Sequence, residues 1–313
     1  KMDVSWMTPE VMAKYKAAWG RPGAMNGMVN WYRAARIAEV VATEVATVGF
    51  NFNFAPVLDV DTNPENPVIG DRSFGADPHL VARMGGAWAL GHTMAGVIPC
   101  GKHFPGHGDT LQDSHLALPT ITHDRERLDN IELVPFKSAV KTNIASIMTA
   151  HIVVSSLDPV YPATLSPAII QGLLRDELGY QGVVVSDCLE MKAVADMFEI
   201  EELVERSLMA GVDLFLICHT EAKWRRARTH LLQRASEDAA VAARIRESGA
   251  PHAVIAHSAA GQFDLDALVA QARAWEGLVG LDLAKDASTL QAFDWDQGLW
   301  DWPEGYPRVD AND

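Results

Sequence analysis

The sequence predicts an α/β fold of the (β/α)8 TIM-barrel type, and three observations carry that expectation. Apolar, strand-like runs alternate with helix-like segments from about Ala34 to about Arg246. Nearly every strand-like run ends in a polar cluster: Asp59 and Asp61 after the first, Lys102 and His103 after the second, His151, Asp187 and His219 after the third, fourth and fifth. No Gly-x-Gly-x-x-Gly loop follows any of these runs, so a nucleotide-binding open sheet has no sequence support. In a barrel the carboxyl ends of all strands converge on one mouth, and these polar clusters would face one another there.

Each element has its own signature. Helical spacing over 35–50 ends near Gly49, and "NFNFAPVLDV" (51–60) reads as the first strand. Asp77-Pro78 opens a helix over 77–96, and "VIPCGKHF" (97–104) is the second strand. Residues 126–142 are helical and 144–154 form the third strand. Ser166 as N-cap, Pro167 at the first helical position and Gly179 at the end bound the next helix. "GVVVSDCLEM" (182–191), a helix over 201–211 and "VDLFLICH" (212–219) complete the series.

Composition narrows the partners. The chain has 313 residues, 48% of them hydrophobic, and a net charge of −15. An acidic balance excludes nucleic acid and anionic membranes as default partners, because both need Lys/Arg surfaces. No apolar run reaches membrane-span length. Three scattered cysteines, Cys100, Cys188 and Cys218, form no disulfide framework. They fit a reducing compartment, and the expected location is cytoplasmic. No signal peptide is visible, although a chain opening at Lys1 leaves room for a processed leader.

The densest chemistry lies in "KHFPGHGDTLQDSH" (102–115). His103 and His107 have the spacing of a helical metal pair, but Pro105 and Gly106 between them forbid the helix, so no metal is expected. An acid–base reading uses the stretch better. Lys102 and His103 sit at a strand end and can donate to substrate hydroxyls. Gly106 and Gly108 are expected to free the following loop to move. Asp113 and His115 are close enough for the carboxylate to fix the imidazole tautomer and tune its proton affinity. Asp187, at the end of a very apolar strand, is a helix N-cap or a carboxylate nucleophile. Combined with an Asp-His pair, the nucleophile reading gives a retaining glycosidase constellation.

The same stretch resembles the signature of family 3 glycoside hydrolases, in the bacterial β-N-acetylglucosaminidase branch: Lys-His-Phe-Pro-Gly-His-Gly, four residues, then Asp-x-His. "NFNFAPVLDVDTNPENPVIGDRSFG" (51–75) and "GVVVSDCLEM" are similar to other segments of that family, in the same order and at similar separations. The resemblance implies a β/α barrel and hydrolysis with retention, no cofactor, and a carbohydrate substrate: terminal β-linked N-acetylglucosamine of peptidoglycan fragments or chito-oligosaccharides. It implies Asp187 as nucleophile, Asp113 and His115 as the acid/base dyad, and Arg72, Lys102, His103 and His151 as sugar-binding residues. Cys188 stands where the family commonly has a second aspartate.

The resemblance runs over residues 35–246, the expected catalytic region. Residues 1–34 read as an unmatched helical segment, weakly similar to a cap segment of α/β-hydrolases of the haloalkane dehalogenase and epoxide hydrolase kind. Residues 247–313 are also unmatched, and the family's first three strands are missing. The barrel is therefore expected to be incomplete or rearranged, with its edges completed by the flanks, where 252–258 reads as a strand, or by another chain in an oligomer. Two alternatives follow: a barrel relic that binds sugar without turnover, and an α/β-hydrolase-type esterase or dehalogenase using Ser258. No histidine follows Ser258, so the second cannot close its triad in the usual order.

Overall fold

The computed structural model describes residues 24–112, 114, 117–248 and 254–256. Its centre is a six-stranded sheet, and every neighbouring pair in it runs parallel. The strands are β1 (Phe52–Asn53), β2 (Ile98–Phe104), β4 (Ser146–Thr149), β6 (Val183–Cys188), β7 (Leu214–Leu216) and β8 (Val254–Ala256), adjacent in that order. A separate parallel pair, β3 (Thr120–Ile121) with β5 (Val153–Val154), lies outside this sheet. The helices are α1 (Ala24–Thr47), α2 (Pro78–Met94), α3 (Arg125–Asn130), α4 (Leu133–Lys141), the π-helical α5 (Ala168–Glu177), α6 (Lys192–Ala195), α7 (Ile200–Ala210), α8 (Glu221–Glu237) and α9 (Ala239–Glu247). Strands and helices alternate along the chain, giving part of a β/α barrel.

Side-chain alternation along each strand sorts the core into two faces. Cys100, Met148, Val185, Leu214 and Leu216 form one buried cluster, joined by Phe52, Phe54 and Cys218. Phe104, Ile147, Val184 and Phe215 point the other way, into the large cluster shared with the helices. There Phe104 of β2 meets Phe136 of α4 edge-on, ring centroids 5.2 Å apart. Such a pair adds about 0.5–1.5 kcal/mol beyond its area burial. Asp213, just before β7, accepts from Arg175 at 2.7 Å, Arg244 at 2.8 Å and the Val184 N–H at 2.9 Å, tying α5, α9 and β6 together.

Three elements differ from the sequence expectation. The first strand is expected over 51–60 but pairs regularly only at Phe52 and Asn53. Pro56 has no N–H to give the ladder, and the chain rejoins β2 through a single bridge from Val57 to Lys102. The third strand is expected over 144–154 but breaks into β4 and β5, with His151 between them. The helix expected over 126–142 is divided into α3 and α4. The strand expected over 252–258 is present as β8, pairing with β7 from Leu214–Val254 to Leu216–Ala256. Among the described residues no strand pairs with the outer side of β1. No described helix is long and apolar enough to cross a membrane.

Candidate active site

The site is assembled from the carboxyl ends of β2, β4 and β6 and the segment after β1. Lys102 and Asp187 lie where the pairing of their strands shifts register, between Gly101 and Phe104 on β2 and between Val185 and Cys188 on β6.

Asp59 organises the first half. Its fully buried carboxylate accepts from the His103 N–H (3.1 and 3.2 Å), from His103 Nδ1 (2.7 Å) and from the His107 N–H (2.7 Å). Burial alone would raise its pKa. The charge and hydrogen bond of His103, then the charge and backbone N–H of His107, reverse that and hold it below the ordinary value of 3.8. The contact also fixes the His103 ring, with Nδ1 on Asp59 and Nε2 left for other partners.

The described start of the loop after β2, residues 105–110, is clamped, in contrast to the expected freedom at Gly106 and Gly108. Both glycines are buried. A Cβ on Gly108 would lie 1.9 Å from the Val60 carbonyl oxygen, and Gly106 adopts φ +133° with Glu132 against it. These positions need glycine for close approach and a left-handed backbone, not for mobility. Asn66 donates to the His107 carbonyl at 2.8 Å, and Thr62 donates to Asp109 at 3.0 Å, so the preceding loop braces this one. Asp109 also pairs with His123.

His107 belongs to this clamp. Nδ1 lies 2.7 Å from the Thr110 hydroxyl and Nε2 lies 3.1 Å from the Ser114 hydroxyl. Thr110 donates to the His107 carbonyl, so Nδ1–H donates to Thr110 and Nε2 accepts from Ser114. Burial lowers its proton affinity, which fits this neutral tautomer. Asp113 and His115 lie outside the described residues. Ser114 between them is buried, and its carbonyl accepts the Ala193 N–H at 3.3 Å.

Asp187 sits at the end of β6, partly exposed, with Oδ1 accepting the Cys188 N–H at 2.7 Å. The surrounding protein alone would raise its pKa. The fields of His103 and His151, the Cys188 N–H and Lys102 overcome this, and the carboxyl is held below its ordinary value. His151 is buried, and desolvation lowers its proton affinity. Its Nε2–H donates to the Cys188 carbonyl at 3.0 Å, and Nδ1 faces the Thr164 hydroxyl at 2.8 Å. Lys102 is itself lowered, first by desolvation and then by the positive charge of Arg72. Arg72 is exposed, its guanidinium tied to the Val68 carbonyl at 3.0 Å.

The structure therefore brings Lys102, His103 and His151 into electrostatic reach of Asp187, with Arg72 and Asp59 in reach of Lys102. An ionised carboxylate stands among hydrogen-bond donors, as nucleophilic attack on an electrophilic carbon requires. Asp59 was legible in the sequence only as a polar strand end. Its hub role depends on partners 44 and 48 residues away.

Residues 20–248 match the glycosyl hydrolase family 3 N-terminal domain. This chain belongs to glycosyl hydrolase family 3. It is 42% identical over 196 residues to beta-hexosaminidase A of Pseudoalteromonas piscicida, covering 59% of this chain and 33% of that protein. It is 41% identical over 184 residues to a beta-hexosaminidase of Alkalilimnicola ehrlichii, covering 58% of this chain and 52% of that protein. It thus spans between a third and about half of the length of these relatives. Among solved structures it resembles the family 3 β-N-acetylglucosaminidase from Paenibacillus sp. str. FPU-7, at 46% identity and a TM-score of 0.68, over 69% of this chain and 41% of that one.

Replacing Asp59 by alanine is expected to destabilise this family 3 domain by about 3–5 kcal/mol, because two backbone N–H groups and an imidazole lose a buried anionic partner. Its folded pKa is depressed, so its contribution is complete above the unfolded value near 3.8 and is lost as pH falls through the lower folded value. The stability gap between wild type and Asp59→Ala in urea unfolding should hold from pH 7 down to about 3.8, then shrink as pH falls toward the lower folded value. A gap that closes at higher pH would remove Asp59 from its hub role.

Proposed function

We propose that this family 3 domain is the catalytic part of a retaining, exo-acting β-N-acetylglucosaminidase. The substrate is a terminal β-linked N-acetylglucosamine, in peptidoglycan fragments or chito-oligosaccharides. The observation that carries the reading is Asp187: a carboxylate kept ionised at a strand end, next to Lys102, His103 and His151. Asp187 attacks the anomeric carbon and forms a glycosyl-enzyme. His115, oriented by Asp113, protonates the leaving oxygen and then takes a proton from water. Lys102, Arg72 and His103 Nε2 donate to sugar hydroxyls, and His151 holds the Cys188 carbonyl behind the nucleophile. The beta-hexosaminidase relatives support the sugar preference.

The test is turnover of an aryl β-N-acetylglucosaminide against the matching β-glucoside, with the product anomer followed by proton NMR. The expected result is preference for the N-acetyl sugar and first release of the β-anomer. First release of the α-anomer would overturn the retaining mechanism. Binding without turnover would favour the sugar-binding alternative. A sugar phosphate formed only in phosphate buffer would make the domain a phosphorylase.

A further inference from the structure

Two buried threonines lie behind His151, and the mechanism above gives neither a role. Thr149 ends β4, and Thr164 belongs to the short 3₁₀ turn Ala163–Leu165. Both are fully buried, and His151 is nearly so. Thr164 Oγ1 lies 2.8 Å from His151 Nδ1, 2.9 Å from Thr149 Oγ1 and 3.1 Å from the Ala150 carbonyl oxygen. Thr149 Oγ1 also lies 3.4 Å from the Val185 carbonyl oxygen. On its other side the ring meets the Cys188 carbonyl at 3.0 Å, and the Cys188 N–H holds Asp187 Oδ1 at 2.7 Å.

Proton counting gives this cluster two complete patterns. A carbonyl only accepts, so Nε2 carries a proton in both. In the neutral ring Nδ1 is bare and accepts from the Thr164 hydroxyl, which in turn accepts from Thr149. In the charged ring Nδ1–H donates to Thr164. The Thr164 hydroxyl then turns to the Ala150 carbonyl, and Thr149 has the Val185 carbonyl as its second acceptor. Both ring nitrogens stay paired in either pattern, and only hydroxyl protons move. An apolar side chain of the same shape would leave Nδ1 buried without a partner in both.

We propose that Thr164, backed by Thr149, is a positioning residue for the reaction: by reversing its hydroxyl it keeps His151 on the Cys188 carbonyl whichever charge the ring carries. Its value to turnover rests on the assignment of Asp187 as nucleophile. The ring needs this tolerance because the charge it faces changes. Burial disfavours its charged form, the field of Asp187 and the Cys188 carbonyl favour it, and the field of His103 opposes it. When Asp187 becomes a glycosyl ester its negative charge is gone, and that pull on the ring vanishes. A ring that changed partners at that moment would drag Cys188 with it, and the Cys188 N–H would carry the displacement to the reacting carboxyl group.

The experiment labels the protein with 15N-histidine and follows the imidazole nitrogens by NMR across pH, using His151→Gln to assign the ring among the chain's 11 histidines. The wild-type neutral ring should be protonated at Nε2 and hydrogen-bonded at Nδ1. A neutral ring protonated at Nδ1 would overturn the proposal without any threonine variant. In Thr164→Val the ring should titrate at lower pH than in wild type, because a cation loses more than a neutral ring when its partner goes. The same variant should lose about tenfold in kcat on the aryl N-acetylglucosaminide, with KM nearly unchanged. Thr164→Ser keeps the hydroxyl and should recover most of both. A ring that titrates alike in wild type and Thr164→Val, an unchanged kcat, or a loss that serine does not recover would each reduce Thr164 to a packing role. The ring measurements need no substrate, so they stand apart from the nucleophile assignment, which Asp187→Ala tests by turnover.

Discussion

Asp187→Ala is expected to abolish turnover of every β-glycoside, by about four orders of magnitude or more, because in the proposed mechanism every turnover passes through the covalent bond at Asp187. Asp187 lies at the end of β6 and accepts the Cys188 N–H, and Lys102, His103 and His151 favour its charged form. Alanine removes that carboxylate and leaves space at the attacking position. Azide should therefore restore turnover of an activated aryl substrate and give a glycosyl azide of inverted configuration. A purely structural aspartate would show no such rescue. If Asp187→Ala retains a tenth of wild-type activity, the nucleophile is another residue.

His115→Ala is expected to divide substrates by their leaving groups. A general acid contributes roughly 10²–10⁴-fold where the departing oxygen needs a proton. Chito-oligosaccharides should lose that factor, and an aryl glycoside with an acidic phenol should lose little in the first step. Water attack would then lack its base, so the glycosyl-enzyme should accumulate. Intact mass spectrometry within seconds of mixing should show one added N-acetylhexosamine, mapping to Asp187. Equal losses on good and poor leaving groups would remove His115 from proton transfer and leave the Asp113–His115 pair unassigned. A sugar on any residue other than Asp187 would overturn both assignments together.

The sequence made the strong strands and the site's inventory readable for physical reasons. "GVVVSD" is a β-branched run ending in a charge, and β6 indeed carries Asp187 at its end. Lys102 and His103 close β2 in the same way. What escaped was set by tertiary partners. Asp59 looks like an ordinary polar strand end until His103 and His107 fold back onto it. Gly106 and Gly108 suggest a hinge by residue type alone, but their packing against Glu132 and Val60 makes them fitted positions. The break at His151 is invisible to hydropathy, because 144–154 is apolar on both sides of it. Hydrogen bonds from its ring to Thr164 and Cys188 hold the chain there.

The pairing of β8 with β7 carries a practical consequence for domain boundaries. The family match ends at residue 248, yet Val254–Ala256 fills the open edge of β7 beside Leu214, Phe215 and Leu216. A fragment cut at the end of the match would bare that edge, an unsaturated row of amides and carbonyls flanked by apolar side chains. Expression trials of 24–248 against 24–261 should differ in solubility, with the shorter piece prone to self-association through β7.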